Sequence, residues 1–389
     1  DIQTLDMGLP SDGVAPETIV GSKHGGTFTV SMPLRGQSAA YDATGAIAVN
    51  PEMTLLADLV GGSYTAAPVA DAIDSTGTND ANTLAMNTPG GETVTMSPGA
   101  FQAVGNAGTK ATTWAGYVKS QTGVAVEAFE DSTIQALASN DDIFGSYTVY
   151  PGGAQPTARS FKIVGKESTQ GLVLIGCIPE NGSISLENGK VPMLEVTYRF
   201  TDYKYDTTSE GLQSAAAFTR LPPVLGSSKG RVWLGGGVKE SGVGESNGTA
   251  ETEGTCGVGS FKVDINCEVY EIPCHGAAQG VSQVVVGKRN ISTSFTIPHI
   301  AAYIDSDGGD SKWGVSLSDQ KAWSVSLMLG TTAGKMFSVL IPAAVCTVQP
   351  EQGDVDGIQA FTLEFQPIAY TADGASANAG DSPFRIGFA

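Results

Sequence analysis

The sequence predicts a mainly β protein with one or two short helices, its 389 residues arranged as two tandem copies of one β unit. Three observations predict it. Short runs rich in Val, Ile, Thr and aromatics recur along the chain, each bounded by Gly, Pro, Asn or Asp, the pattern of strands closed by turns. The composition is turn-rich and weakly charged, with 50 glycines and only 16% charged residues, where about 25% is usual. Finally, two stretches align with each other at a fixed spacing, and 41% hydrophobic residues supply enough apolar material for a core.

Taken in order, the first strand is predicted over Thr27–Met32. A helix follows from Pro51: Asn50 stands at the N-cap position, Pro51 at the first helical position, apolar residues recur at helical spacing, and Gly61-Gly62 ends it. The stretch Thr65–Thr113 is poor in large apolar residues and rich in Ala, Thr, Asn, Gly and Asp, so it is expected to be an extended surface loop outside the core. Ser132–Ala138 reads equally as a short second helix or a loop. Strands resume at Phe161–Val164, Leu172–Ile178 and Leu194–Phe200. In the last, strict alternation puts Leu194, Val196, Tyr198 and Phe200 on one face and Glu195, Thr197 and Arg199 on the other.

Arg220–Gly230 holds a Pro-Pro pair and a Gly/Ser cluster between strand-rich halves, and is the expected linker. The expected units are therefore 1–220, with an N-terminal arm and the inserted loop at 65–113, and 231–389 with a C-terminal tail, joined by 221–230. The second unit carries predicted strands at Phe261–Ile265, Ser282–Val286, Ser292–Ile297, Trp323–Leu329, Phe337–Ile341 and Phe361–Phe365. Val238–Thr255 has no strand signal.

The repeat sets Gly171–Tyr205 on Met336–Tyr370 without a gap at an offset of 165. Leu172 meets Phe337, Leu174 meets Val339, Val196 meets Phe361, Phe200 meets Phe365 and Tyr205 meets Tyr370. An earlier block, Gly13-Val14 through Ile19-Val20-Gly21 to Ser31-Met32-Pro33, matches Gly280-Val281 through Val285-Val286-Gly287 to Thr296-Ile297-Pro298 at an offset near 265. The first copy thus carries about 100 additional residues between its blocks, covering the helix and the long loop.

Charge narrows the functional classes. With 21 Lys+Arg against 40 Asp+Glu the net charge is -19, and over Asp1–Lys119 there are already 11 acidic residues against 4 basic ones. A protein that neutralises phosphates needs a basic face, so sequence-specific nucleic-acid binding is disfavoured. The best uninterrupted apolar run, Leu172–Ile178, is far shorter than the ~18 residues of a membrane span, so no membrane insertion is expected.

Sites are few. The five cysteines include Cys256-x10-Cys267-x6-Cys274-His275, but zinc wants shorter paired spacings, and buried thiols are the plainer reading. Asp305, Asp307 and Asp310 cluster around glycines and offer calcium its oxygen ligands, yet the rest of an EF-hand loop and its distal Glu are missing; a solvated turn is the plainer reading, as for Asp354–Gly357. No metal or other cofactor is therefore expected. His24, His275 and His299 stand near no serine elbow, HExxH or phosphate loop, and adjacent residues such as Cys274 and His275 on a strand point to opposite faces, so no catalysis is expected. The dispersed Trp114, Trp233, Trp313 and Trp323 form no stacking platform.

The glycine-rich entry strand His24–Val30, the Pro-Glu-x-x-x-Leu-Leu helix followed by Gly-Gly (Pro51–Gly62), and the strand, long loop and alternating strand of Gly171–Tyr205 together resemble the tail tube proteins of long-tailed bacteriophages, in their two-domain form. The likeness runs from about Gly13 to Tyr370 and rests on pattern and order. It implies two tandem tail-tube-type domains, each a small β-sandwich or rolled β-barrel with one flanking helix. It implies a trimeric ring with pseudo-sixfold symmetry, stacked into a tube that conducts double-stranded DNA without binding it specifically. Tape-measure, tail terminator and tip proteins would be the other partners, and the virion the location, with assembly in the host cytoplasm. In this reading Leu172, Leu174, Val196, Phe200, Phe337, Val339, Phe361 and Phe365 are the core strand residues of the two copies, and the 65–113 and 238–255 segments are outward decorations or inter-ring loops. The alternative from another class is an acidic extracellular β-sandwich binding module, of surface-layer or carbohydrate-binding type, stabilised by calcium at Asp305–Asp310.

Overall fold

The computed structural model describes residues 2–5, 19–22, 25–36, 49–70, 83–85, 94, 96–122, 125–128, 141–164, 171–187, 189–206, 230–235, 260–273, 281–298, 323–347, 351–355, 358–369 and 382–389. The expected second helix at 132–138, the linker at 221–230 apart from Gly230, the 238–255 segment, Asp305, Asp307 and Asp310, and His24, Cys256, Cys274, His275 and His299 lie outside them.

The protein is mainly β, as the alternating runs predict. The first half contributes β1 (Ile2–Leu5), β2 (Ile19–Ser22), β3 (Gly26–Pro33), α1 (Pro51–Val60), β4 (Ser63–Ala66), β5 (Thr83–Ala85), β6 (Phe101–Gly105), β7 (Thr112–Thr122), β8 (Ala125–Ala128), β9 (Asp142–Phe144), β10 (Ser146–Val149), β11 (Arg159–Val164), β12 (Gly171–Glu187), β13 (Met193–Phe200) and β14 (Asp202–Asp206). The second contributes β15 (Gly230–Gly235), β16 (Ser260–Pro273), β17 (Val281–Pro298), β18 (Trp323–Leu329), β19 (Phe337–Cys346), β20 (Glu351–Val355), β21 (Ile358–Pro367) and β22 (Arg385–Phe388). The two runs predicted at Ser282–Val286 and Ser292–Ile297 are one strand: pairing with β16 continues past Gly287, and a bulge between Cys267 and Val269 absorbs the irregularity. Asp354 and Val355, expected in a turn, close β20.

One antiparallel path runs β3-β13-β12-β16-β17-β21-β19-β22-β10-β4. It crosses between the halves twice, where β12 pairs with β16 and where β22 pairs with β10. Helix α1 touches β10 near one end of the path and β12, β13 and β16 near the other, so the sheet curls around the helix. Its seat is Gly182 on β12: a Cβ there would stand 2.5 Å from Leu59 Cδ2 and 2.9 Å from the Glu195 carbonyl oxygen. Gly61 ends α1 at φ +96°, the left-handed value that favours glycine. Asn50 holds the N-cap position, but its amide nitrogen donates to the Gly36 carbonyl (2.5 Å) instead of capping.

The same pairings occur in both halves. In the first, β12 pairs with β11 and β14 over its N-terminal part and with β13 further on, and β13 pairs with β3. In the second, β19 pairs with β18 and β22 and then with β21, and β21 pairs with β17. One detail of the sequence alignment changes. Val30 faces Val196 whereas Phe295 faces Leu363, so Leu363 rather than Phe361 takes the place of Val196, an even shift that keeps every side chain on its face. Tyr205 lies opposite Leu172, and in the second half Phe388 lies opposite Phe337; Tyr370 lies outside the described residues.

The expected surface loop at Thr65–Thr113 is corrected. It contains β5, β6 and the start of β7, members of a separate five-stranded sheet, β5-β8-β7-β6-β9, and Phe101, Ala103 and Val104 are wholly buried. Phe101, Ala103, Ala115, Tyr117 and Phe144 of this inserted sheet pack on Met328, Ala333, Met336, Leu340 and Ala389 of the second half. Small residues let the sheets approach closely: Gly387 has no Cβ where Phe101 Cβ would lie 2.4 Å away. Backbone bonds from Thr112 to the Thr331 carbonyl (3.0 Å) and from Ala333 to the Lys110 carbonyl (2.9 Å) tie the insert to the β18–β19 turn.

Candidate functional site

Alternation along six adjacent strands sorts residues onto two faces. Inward point Met32, Leu194, Ile184, Val263, Thr293 and Phe365, aligned in one register row against the core. Outward the rows are polar. One runs Ser31, Glu195, Ser183, Asp264, Ser292; the next Thr29, Thr197, Asn181, Asn266, Asn290. A third is Ser185, Lys262, Ser294, Glu364, and a fourth Glu187, Ser260, Thr296, Thr362.

Neighbouring hydroxyls bridge strands: Thr29 and Thr197 Oγ1 lie 2.9 Å apart, and Ser260 Oγ donates to Thr296 Oγ1 at 3.2 Å. The rows hold four carboxylates and a single cation, Lys262, whose ammonium is 2.8 Å from Asp264. Beside them Arg199 donates to Glu180 (2.6 Å) and Glu271 (3.1 Å), and the Glu180 bond in particular raises its pKa above the ordinary value. Charge is thus small and on balance acidic. The side chains available are hydroxyls, amides, carboxylates and the Lys262–Asp264 ion pair.

Behind this face Cys177 and Cys267 are buried among apolar side chains. Burial pushes the Cys177 thiol up to about 11, and also raises Cys267 despite the nearby Arg289 guanidinium. Both stay protonated at neutral pH. Arg289 itself donates to the carbonyls of Leu59, Gly152 and Ala154 at 2.9–3.0 Å, bracing the end of α1. At the other end of the helix the wholly buried Glu52 accepts two bonds from Arg35, at 2.6 and 2.8 Å.

Of the residues singled out from the sequence, Leu174, Val196, Phe337, Val339 and Phe365 are buried in one core cluster, and Leu172 and Phe200 are half-buried at its edge. Phe361 stands opposite Ile297. Among the described residues no group of three His, Cys, Asp or Glu side chains is arranged to hold a metal, and no helix is long and apolar enough to cross a membrane. The polar rows escaped the sequence reading because Ser, Thr and Asn read individually as turn residues; the usable signal was their alternation with apolar positions in β12, β16 and β17. No known protein family and no curated protein matches the chain.

Proposed function

We propose that this chain is the major tail tube subunit of a long-tailed bacteriophage, a structural virion protein that self-assembles into rings of three chains. The rings stack into the conduit that delivers the genome into the host cell. The polar face carries this reading. A conduit wall must wet a polyanion without holding it, and rows of hydroxyls and amides with a net excess of carboxylates offer phosphates a single cation, Lys262, already paired with Asp264. The curled sheet presents that face on one side and keeps α1 on the other, as a wall element would.

The same strand set occurring twice in one chain supports three chains furnishing six similar positions per ring. Double-stranded DNA passes through; tape-measure, terminator and tip proteins are the further partners. Negative-stain electron microscopy of the purified chain tests this. Rings and stacked tubes are expected, while a monomer at every concentration whose melting depends on calcium would overturn the reading in favour of a binding module.

A further inference from the structure

Lys262 is the one cation in the four outward rows, and its surroundings leave it a single partner. Its neighbours across the strands are Ser185 of β12 and Ser294 of β17, which carry no charge. The carboxylates of the adjoining rows stand further off. Glu364 lies two strands away, beyond Ser294, and Glu187, diagonal to Lys262, is paired with Lys190 across the β12–β13 turn. Asp264 is the next residue along β16 on the same face, and its carboxylate meets the Lys262 ammonium at 2.8 Å. Half of the lysine and a third of the aspartate side chain are open to solvent, so both face whatever lies on the sheet.

Beside the rows the same arrangement recurs, with Arg199 held between Glu180 at 2.6 Å and Glu271 at 3.1 Å. Glu195 provides the contrast. It shares the row of Asp264, but its neighbours there are Ser31 and Ser183, and among the described residues it pairs with no cation. An exposed ion pair such as Lys262–Asp264 contributes little to folding stability. What it changes is the charge that a ligand meets: a lysine with its carboxylate in place offers a phosphate much less than a free one, which would neutralise the phosphate and release its counterions.

We propose that Asp264 is a guard residue: it occupies the Lys262 ammonium, so that a phosphate chain lying on this face finds no free cation in the rows. It is a specificity determinant of a surface whose task is to let DNA pass. The proposal rests on the conduit reading above and assigns to one carboxylate part of what that reading ascribes to the whole face. Because each chain of a ring, and each ring of a stack, presents the same pair, lysines freed together would act together on one DNA molecule.

The test is co-sedimentation of a short fluorescent DNA duplex with the assembled full chain, at low and at physiological salt. The native chain is expected to carry down little DNA. Asp264→Asn should raise the bound fraction at least about threefold above that level, the factor an exposed ion pair carries. The gain should fade with salt, log K falling against log salt by about 0.9 for each phosphate contact acquired. Adding Lys262→Ser to Asp264→Asn is expected to restore the native level, and Glu195→Gln, which removes the same charge but frees no cation, to stay at it. No gain in Asp264→Asn, a gain that survives Lys262→Ser, or an equal gain in Glu195→Gln would overturn the guard while leaving the conduit reading in place. A native chain that itself holds DNA firmly, or that never assembles, overturns the conduit reading and the guard with it.

Discussion

The two halves share a strand set but bury it differently. Around β19 the second half is buried on both faces, one turned to the core cluster that strands of both halves and α1 share and the other lying under the inserted sheet. Around the N-terminal part of β12 the first half has an ion pair on one face and exposed tyrosines on the other. Equal topology therefore does not mean equal stability. The second half's core is shared with its partner half, whereas Ile163 and Tyr205 at the edge of the first half are exposed.

The sharpest break of this comparison is a pair of truncations at matching positions. Phe337→Ala empties a fully buried site and is expected to cost about 3–5 kcal/mol, whereas Leu172→Ala, at the half-buried counterpart, should cost about 1 kcal/mol. Urea unfolding of the two variants measures both, and equal losses would mean that the halves are buried alike after all. A smaller effect tests how the first half grips the second. Glu52→Gln leaves Arg35, only 28% exposed, without its carboxylate at the end of α1 that lies near Gly36 and the Gly334 backbone. A loss of about 2–3 kcal/mol is expected after allowing for Arg35's exposure, again read by urea unfolding.

The smallest effect is a pH dependence confined to the first half. Cys177 titrates at about 11 in the folded chain against 9.0 ordinarily, so the unfolded chain gives up its proton first. The stabilising contribution is complete below pH 9 and is lost as pH rises toward 11. Cys177→Ser should flatten the fall of the urea midpoint over that window; an identical fall in both proteins would remove the thiol as its cause.

How much of this the sequence displayed depends on whether the signal is local. Pro51 and Gly61 mark the ends of α1, and the alternation of Leu194, Val196 and Tyr198 marks the buried face of β13, because caps and pleats are set by neighbours in sequence. The inserted sheet was missed because its large residues Phe101, Tyr117 and Phe144 are scattered along the chain and alternate with small ones such as Ala103 and Ala115, which leaves no run of large apolar residues to read. The partner of Phe337 was not legible for a related reason. Strand pairing, not linear spacing, decides that Phe388 lies against Phe337, and a connection of different length hides the match. The polar rows, the candidate wall, were visible only as alternation, since their residue types point elsewhere.

The insertion of β22 between β10 and β19 has a kinetic consequence. Its residues meet partners very distant along the chain, as when the Tyr117 hydroxyl reaches the Arg385 carbonyl across 268 positions. Loop-closure entropy defers such contacts, so this seam closes late in folding. Until it does, Phe101 and Tyr117 on one side of the seam and Phe337 on the other lack part of their cover, and the edges of β10 and β19 are unpaired. Refolding yield should therefore be governed by competition between closing that seam and aggregation through its open edges.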